Sequence, residues 1–295
     1  MHVHGDGMES APTRMKVLIL GGKGLLGGAL AKAFLGHNVI VWDRAELDIA
    51  DETSARKKIP ELRPELIINC AAWNDVDGAE DHPDQAERLN GTAVGSLAAI
   101  ARELGVTIIH YSTDYVFDGT NREGYDEDAS PNPINAYGRS KALGERLLRE
   151  AIDEFYLIRT SRLYGPRPES PAAKISFVLR IAELARLKRE VSSVDEESGA
   201  FTYVKDLAEA TRRLVRDSAP YGIYHLTSSG QATWYQCAKE IVSSLGLATV
   251  VRPVPRSAYP VRRVIPPYTL LRSTKVPHLR DWKIALRDFL TTNPI

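Results

Sequence analysis

A tyrosine and a lysine four residues apart, joined by a hydroxyl from elsewhere in the chain, form a set that can protonate a carbonyl oxygen. The stretch AYGRSKALGE (136–145) holds such a pair in Tyr137 and Lys141, and WYQCAKE (234–240) holds another in Tyr235 and Lys239. On a helix, residues four apart share one face. A phenol with a pKa near ~10 is a poor acid or base at neutrality. A neighbouring ammonium stabilises the phenolate and draws that value toward working pH. A serine or threonine hydroxyl can hold the carbonyl oxygen being reduced. YSTDYVFDG (111–119) follows an apolar run and offers such hydroxyls, Thr113 among them. Tyr137 and Lys141 open a helix after the extended PNPIN and fit this scheme. Tyr235 and Lys239 have no such company and read as a helix start with an exposed lysine.

The other chemistry-bearing stretch is Gly21-Gly22-Lys23-Gly24-Leu25-Leu26-Gly27, directly after the first apolar run. Gly21, Gly24 and Gly27 supply what a dinucleotide needs: a tight turn without Cβ, backbone close to a pyrophosphate, and a helix N-terminus aimed at the anion. An acidic residue about 20 positions on should meet the ribose. Asp43 stands there and favours NADH; the adjacent Arg44 could pair with a 2′-phosphate and favours NADPH. Asp48, followed by Ile49, is a candidate for the adenine edge, or else a helix cap.

These residues need a frame. Unbroken apolar runs at 16–20, 38–43, 65–72, 106–113 and 155–160 suit strands covered on both faces. Helix-like stretches near 24–35, 52–60, 84–104 and 137–150 alternate with them. The pattern predicts an α/β fold with a Rossmann-type, doubly wound parallel sheet over 15–165. After 165 come the proline-rich YGPRPESP and RPVPRSAYPVRRVIPP, and 166–295 reads as a smaller mixed α/β lobe for substrate, part of which can complete the sheet. Residues 1–14 read as a disordered leader or tag. Lys+Arg and Asp+Glu are both 38, which gives no support for nucleic-acid or acidic-membrane binding. The two cysteines suggest neither a disulfide framework nor a zinc site. No apolar run approaches the ~18–20 residues of a membrane span. The expectation is a cytoplasmic protein, monomer or homodimer, without a metal. The acidic DVDGAEDHPD (75–84) reads as a solvated loop or helix start, and His110 as a core histidine.

Gly21–Gly27, INCAAWNDVDGAE (68–80), STDYVFDG (112–119), YGRSK (137–141) and RTSRLYGP (159–166) together resemble the extended short-chain dehydrogenase/reductases, and among them the dTDP-4-dehydrorhamnose reductases. The resemblance covers nearly the whole chain after Met15. It implies NADPH or NADH as coenzyme and a nucleotide-linked 4-keto-6-deoxyhexose as substrate. It implies Thr113, Tyr137 and Lys141 as the catalytic set, Ala71, Ala72 and Trp73 as cofactor lining, and Asp114 against the sugar. Asn90 corresponds to an asparagine near the active-site helix, or is a buried structural amide.

The sugar half departs from that pattern. Arg162 stands where these reductases place a tryptophan on the hexose. Glu197 replaces a glutamine, Phe201 a proline, Ile265 an arginine and Arg272 an aspartate. The expectation is compensation, with Arg162 paired to Glu197 and Phe201 supplying the lost apolar face; the alternative is recognition, with Arg162 free to bind a hydroxyl or phosphate oxygen of a different sugar nucleotide. Two other readings compete: a sugar-nucleotide epimerase or dehydratase, and a non-catalytic subunit resembling the regulatory subunit of methionine adenosyltransferase. Dehydratases of this type carry Asp-Glu after the threonine, whereas Asp114 is followed by Tyr115.

Overall fold

A computed structural model of the chain describes residues 14–171, 173–259 and 262–293. The leader expected at 1–14 lies, but for Arg14, outside the described residues. β1 (Lys16–Leu20), β2 (Asn38–Trp42), β3 (Leu66–Asn69), β4 (Thr107–Thr113) and β5 (Phe155–Thr160) pair in parallel in the order β5-β4-β3-β1-β2. A sixth strand, Gly222–His225, adds in parallel to the outer edge of β5.

The strands bury both faces, and their alternation assigns the residues. Val17, Ile19, Ile68, Ile109 and Ile158 pack on one side, with α1 (Leu25–Ala33) and the helix Val204–Arg216. Leu18, Leu20, Ile67, Ile108 and Leu157 pack on the other, with α2 (Glu52–Leu62) and the helices Ala93–Leu104 and Ala136–Ala151. Successive side chains on a strand point to opposite faces, so continuous apolar runs require helices on both.

The single helix expected over 84–104 is interrupted. Pro83–Glu87 leads into a π turn, Arg88–Thr92, before Ala93–Leu104. The wide turn brings the Asn90 carbonyl against Gly144 so closely that a Cβ there would overlap it. Such π turns are rare and concentrate at functional sites. Asn135 caps the helix Ala136–Ala151 by accepting from Gly138 N (2.7 Å).

Beyond the sheet, Glu190–Val194 and Val250–Val254 form a parallel pair. The helices Phe177–Leu187, Trp234–Ser244 and Trp282–Thr292 pack around the rings of Phe177, Phe201, Trp234 and Trp282.

Candidate functional site

The glycine loop turns at Gly21, whose φ of +71° favours glycine. A Cβ at Gly21 would lie 2.7 Å from Ala71 N, so the turn is seated on the end of β3. A Cβ at Gly27 would overlap Gly21 O and Gly22 Cα; glycine there lets α1 close onto the loop. Gly24 differs. Its backbone is extended (φ −73°), and a Cβ would meet only Gly21 O, at 3.1 Å. The space above Gly24 is open, at the start of a helix whose first N–H groups lack intrahelical acceptors. Leu26 sends its side chain into the core and Leu25 packs against it, so these two residues offer backbone, not side chains, to an anion.

At the end of β2, Asp43 keeps its carboxylate free of hydrogen bonds among the described residues, while its N–H donates to Glu46 Oε2 (2.8 Å). Lys23 Nζ donates to Glu46 Oε1 (3.2 Å). Arg44 is exposed and pairs with Asp48 at 3.3 Å. Asp48 does not cap a helix: its Oδ1 accepts from Ala50 N in a local turn, and Asp51 caps α2 through Ser54 N. Ile49 is buried in the core.

Ala71–Trp73 is tied to the helix Ala136–Ala151 by one buried amide. Asn90 Oδ1 accepts from Trp73 N (2.8 Å), and its Nδ2 donates to Trp73 O (3.1 Å) and to Ser140 Oγ (3.0 Å). Ser140 Oγ donates in turn to Tyr137 O (2.7 Å). The Trp73 indole donates to Asp75 O.

β4 delivers Thr113 and Asp114. Thr113 Oγ1 donates to Asp114 Oδ1 (3.0 Å) and accepts from Tyr115 N (3.2 Å). Asp114 Oδ2 accepts from Ser161 Oγ (2.7 Å). Burial raises the Asp114 pKa, against these hydroxyl contacts. Tyr137 packs edge-on against Tyr115, centroids 6.0 Å apart. Burial, and then the Asp114 charge, raise the Tyr137 phenol; the Thr113 hydroxyl beside it acts the other way. Lys141 does not lower it as the spacing had led us to expect. Its Nζ donates to Tyr111 O (2.6 Å) and meets His110 Nε2 at 3.3 Å, under the sheet edge. A phenol with a raised pKa stays protonated at neutral pH, the form that gives a proton away.

Arg162 and Glu197 do not pair. Arg162 adopts φ +42° and donates to Ala232 O (3.0 Å), with its guanidinium over the rings of Trp234 (4.3 Å) and Phe201 (5.1 Å). Glu197 accepts instead from the Trp234 indole (2.8 Å) and meets Arg256 Nε at 3.3 Å. Phe201 is 2% exposed, so it supports Arg162 and Trp234 from beneath and offers no face to a ligand. The two rings stand at 89° to each other, and a guanidinium face packed on aromatic rings leaves edge donors free.

Several residues had escaped the sequence reading. A cavity of about 380 Å³ is lined by Glu197, Arg256, Tyr259, Arg263 and Ile265. Among the described residues, Arg256 Nη2 and Arg263 Nε are buried without a hydrogen-bond partner. Tyr115 packs on Tyr137 and feels the charges of Arg162, Glu197 and Arg263, the last two of which line the cavity. Asn135 Nδ2 donates to Val264 O (2.9 Å), which binds the arginine-bearing loop to the start of the Tyr137 helix. The arginines spaced among prolines in RPVPRSAYPVRRVIPP were the available signal. The acidic 75–84 stretch is largely helical: Asp75 pairs with Lys174, Asp77 with Arg263 and Asp81 with Arg262. Tyr235 and Lys239 form a surface contact, the ammonium 5.5 Å over the ring.

The family described as RmlD substrate binding domain matches residues 15–294. A dTDP-4-keto-6-deoxy-D-glucose reductase of Streptomyces niveus is 37% identical over 91% of this chain and 94% of its own length. A dTDP-4-dehydrorhamnose reductase of Burkholderia thailandensis is 33% identical over 94% of this chain and all of its own. The crystal structure of dTDP-4-dehydrorhamnose reductase from Bacillus anthracis, in complex with NADP, superposes with a TM-score of 0.90 at 31% identity, covering 95% of this chain and 100% of that one.

Proposed function

Because the chain belongs to the RmlD substrate-binding-domain family, we infer that it is a sugar-nucleotide ketoreductase. It reduces the 4-keto group of a nucleotide-linked 4-keto-6-deoxyhexose, dTDP-4-dehydrorhamnose or a near analogue, with NAD(P)H. The observation that carries the reading is the cluster of Thr113, Asp114 and Tyr137 at the carboxyl edge of β4, tied through Ser140, Asn90 and Trp73 to the loop beside Gly21.

The residues present fit a dinucleotide. Open space over Gly24 and the N–H groups of Leu25, Leu26 and Gly27 suit a pyrophosphate, and the free Asp43 carboxylate suits a ribose. When bound, the reduced nicotinamide supplies a hydride to C4. Tyr137 donates its proton to the C4 oxygen, and the Thr113 hydroxyl holds that oxygen. Lys141 supplies the positive charge that the resulting phenolate requires. The resemblance assigns Asp114, held by Thr113 and Ser161, to the sugar. Arg256 Nη2 and Arg263 Nε, without a partner among the described residues, suit the diphosphate of the sugar nucleotide. Arg162 presents its free edge to the hexose, in place of the indole of related reductases.

The test is coenzyme oxidation across dTDP-, GDP- and UDP-linked 4-keto-6-deoxyhexoses with both NADH and NADPH. Stoichiometric oxidation with one of them supports the reading. Tight coenzyme binding with no turnover on any would make the chain a binding subunit instead.

A further inference from the structure

His110 is fully buried on β4 and has two polar neighbours, Asn69 Nδ2 at 3.1 Å from Nδ1 and Lys141 Nζ at 3.3 Å from Nε2. The proton on its ring follows from the surrounding bonds. The Ala71 N–H can only donate, and it points at Asn69 Oδ1 (3.1 Å). The Asn69 oxygen is thereby assigned, and its NH2 faces His110 Nδ1. A donor there makes Nδ1 the acceptor, so the single proton of a neutral imidazole sits on Nε2. That N–H points at the lysine nitrogen. An ammonium has no lone pair to receive it; a neutral amine has one, and keeps a hydrogen for Tyr111 O (2.6 Å).

We propose that the Asn69–His110 pair is a positioning device for Lys141: it fixes the Nε2–H tautomer of His110, which seats Lys141 as a neutral amine between His110 and the Tyr111 carbonyl. When it leaves this seat, on the side of Tyr137 and the coenzyme, Lys141 takes up one proton from solvent. The catalytic part of this proposal rests on the ketoreductase reading; the tautomer does not.

The charges around Lys141 agree with this. On its own helix Glu145 favours the ammonium, but Glu145 is held by Arg159 of β5 through a bidentate pair (2.7 and 3.0 Å). Tyr137, one turn before it, keeps its proton. From β4, the Tyr111 hydroxyl is bound to Thr211. From the end of β3, burial pushes the Cys70 thiol pKa up, so it brings no charge at neutral pH. Burial pushes Lys141 down to about 8, toward the neutral form that the seat requires, and burial holds His110 well below the usual histidine value.

The decisive measurement is a long-range proton–nitrogen NMR correlation of the His110 ring in the full-length, coenzyme-free protein. It should show the neutral Nε2–H tautomer near neutral pH. The Nδ1–H tautomer, or an imidazolium, overturns the proposal. Asn69→Asp supplies an acceptor in place of the NH2, so it should move the ring proton to Nδ1 and raise the Lys141 titration, read at its Cε resonance, by at least about one unit. A folded Asn69→Asp protein with the original tautomer and an unmoved Lys141 overturns it as well. If that variant does not fold, the wild-type tautomer decides. In turnover, Asn69→Asp should shift the alkaline limb of kcat/KM upward in pH; a limb in the wild-type position counts against the device. An inactive wild-type protein with the Nε2–H tautomer removes the ketoreductase reading and leaves the tautomer assignment standing.

Discussion

Replacing Tyr137 by phenylalanine removes one oxygen and little else. The ring packs on the cluster of Ala79, Ala86 and Ala136 and meets Tyr115 edge-on, and phenylalanine keeps those contacts. Helix Ala136–Ala151 keeps its Asn135 cap and the Ser140 link, which uses the Tyr137 carbonyl. Folding and coenzyme affinity should therefore stay close to wild type. Because burial raises the phenol pKa, the wild-type group is protonated throughout the neutral range. No part of the effect is then lost to titration, and the whole factor lies in proton donation. General acid catalysis is worth about 10²–10⁴-fold, or about 3–5 kcal/mol in the barrier. The assay is the fall in NAD(P)H absorbance with a 4-keto-6-deoxyhexose nucleotide, at saturating coenzyme. Tyr235→Phe, in the surface contact with Lys239, is the matched control and should be silent. Turnover of Tyr137→Phe within about threefold of wild type, far short of that range, would refute the assignment of the acid.

Gly24→Val should fold normally and lose NAD(P)H binding, because its side chain fills the open space over the loop; Gly27→Val should fail to fold, since even a Cβ overlaps Gly21 O. Calorimetry and thermal melts separate the two, and unchanged affinity in folded Gly24→Val contradicts the loop assignment. In double-mutant cycles on kcat/KM, Glu197→Ala and Arg256→Ala should couple by about 0.5–3 kcal/mol, and more strongly than Arg162→Ala and Glu197→Ala, which meet only through Trp234; the reverse order would restore the Arg162–Glu197 pair. His225 is buried with its pKa down to about 4, through burial and the neighbouring Arg159, against 6.5 in the unfolded chain. The unfolded state takes up the proton first, so stability present above pH 6.5 should fall as pH drops toward 4. Denaturant midpoints measured across that window check it, and a flat profile contradicts the buried neutral imidazole.

The cofactor half was legible because each of its requirements is local. Gly21, Gly24 and Gly27 follow a strand directly, Asp43 ends the next one, and Tyr137 and Lys141 share a turn after a capping asparagine. Unbroken apolar runs announced strands covered on both faces. The second half was harder, since its contacts are made between distant segments. Arg162 looked like the partner of Glu197 on charge alone. The fold instead offers Trp234 to both, as a face to one and an N–H donor to the other. Nothing in residue type reveals which of two arginines a buried carboxylate will meet. The π turn at Arg88–Thr92 was hidden because it interrupts an otherwise continuous helical pattern, and only packing against Gly144 makes the wider turn useful. The Lys141 seat was missed for a similar reason: spacing places the lysine on the tyrosine face, but a buried amine turns toward whatever acceptors the strand beneath it supplies.

The sixth strand has a consequence for how this chain is made. Gly222–His225 pairs with β5, yet about sixty residues separate them in the sequence. A nascent chain synthesised at ~5–20 residues per second leaves the outer edge of β5 bare for several seconds. During that time its N–H and C=O groups form a template for any passing strand, another copy of the same segment included. Arg159, which ends up 1% exposed between Glu145 and His225, is half-enclosed over the same interval. A fragment ending near residue 165 therefore keeps this edge open for good, and aggregation is its natural fate. For this protein a cut at the apparent lobe boundary is a cut through the sheet, and a coenzyme-binding module prepared on its own would have to carry a surrogate for Gly222–His225.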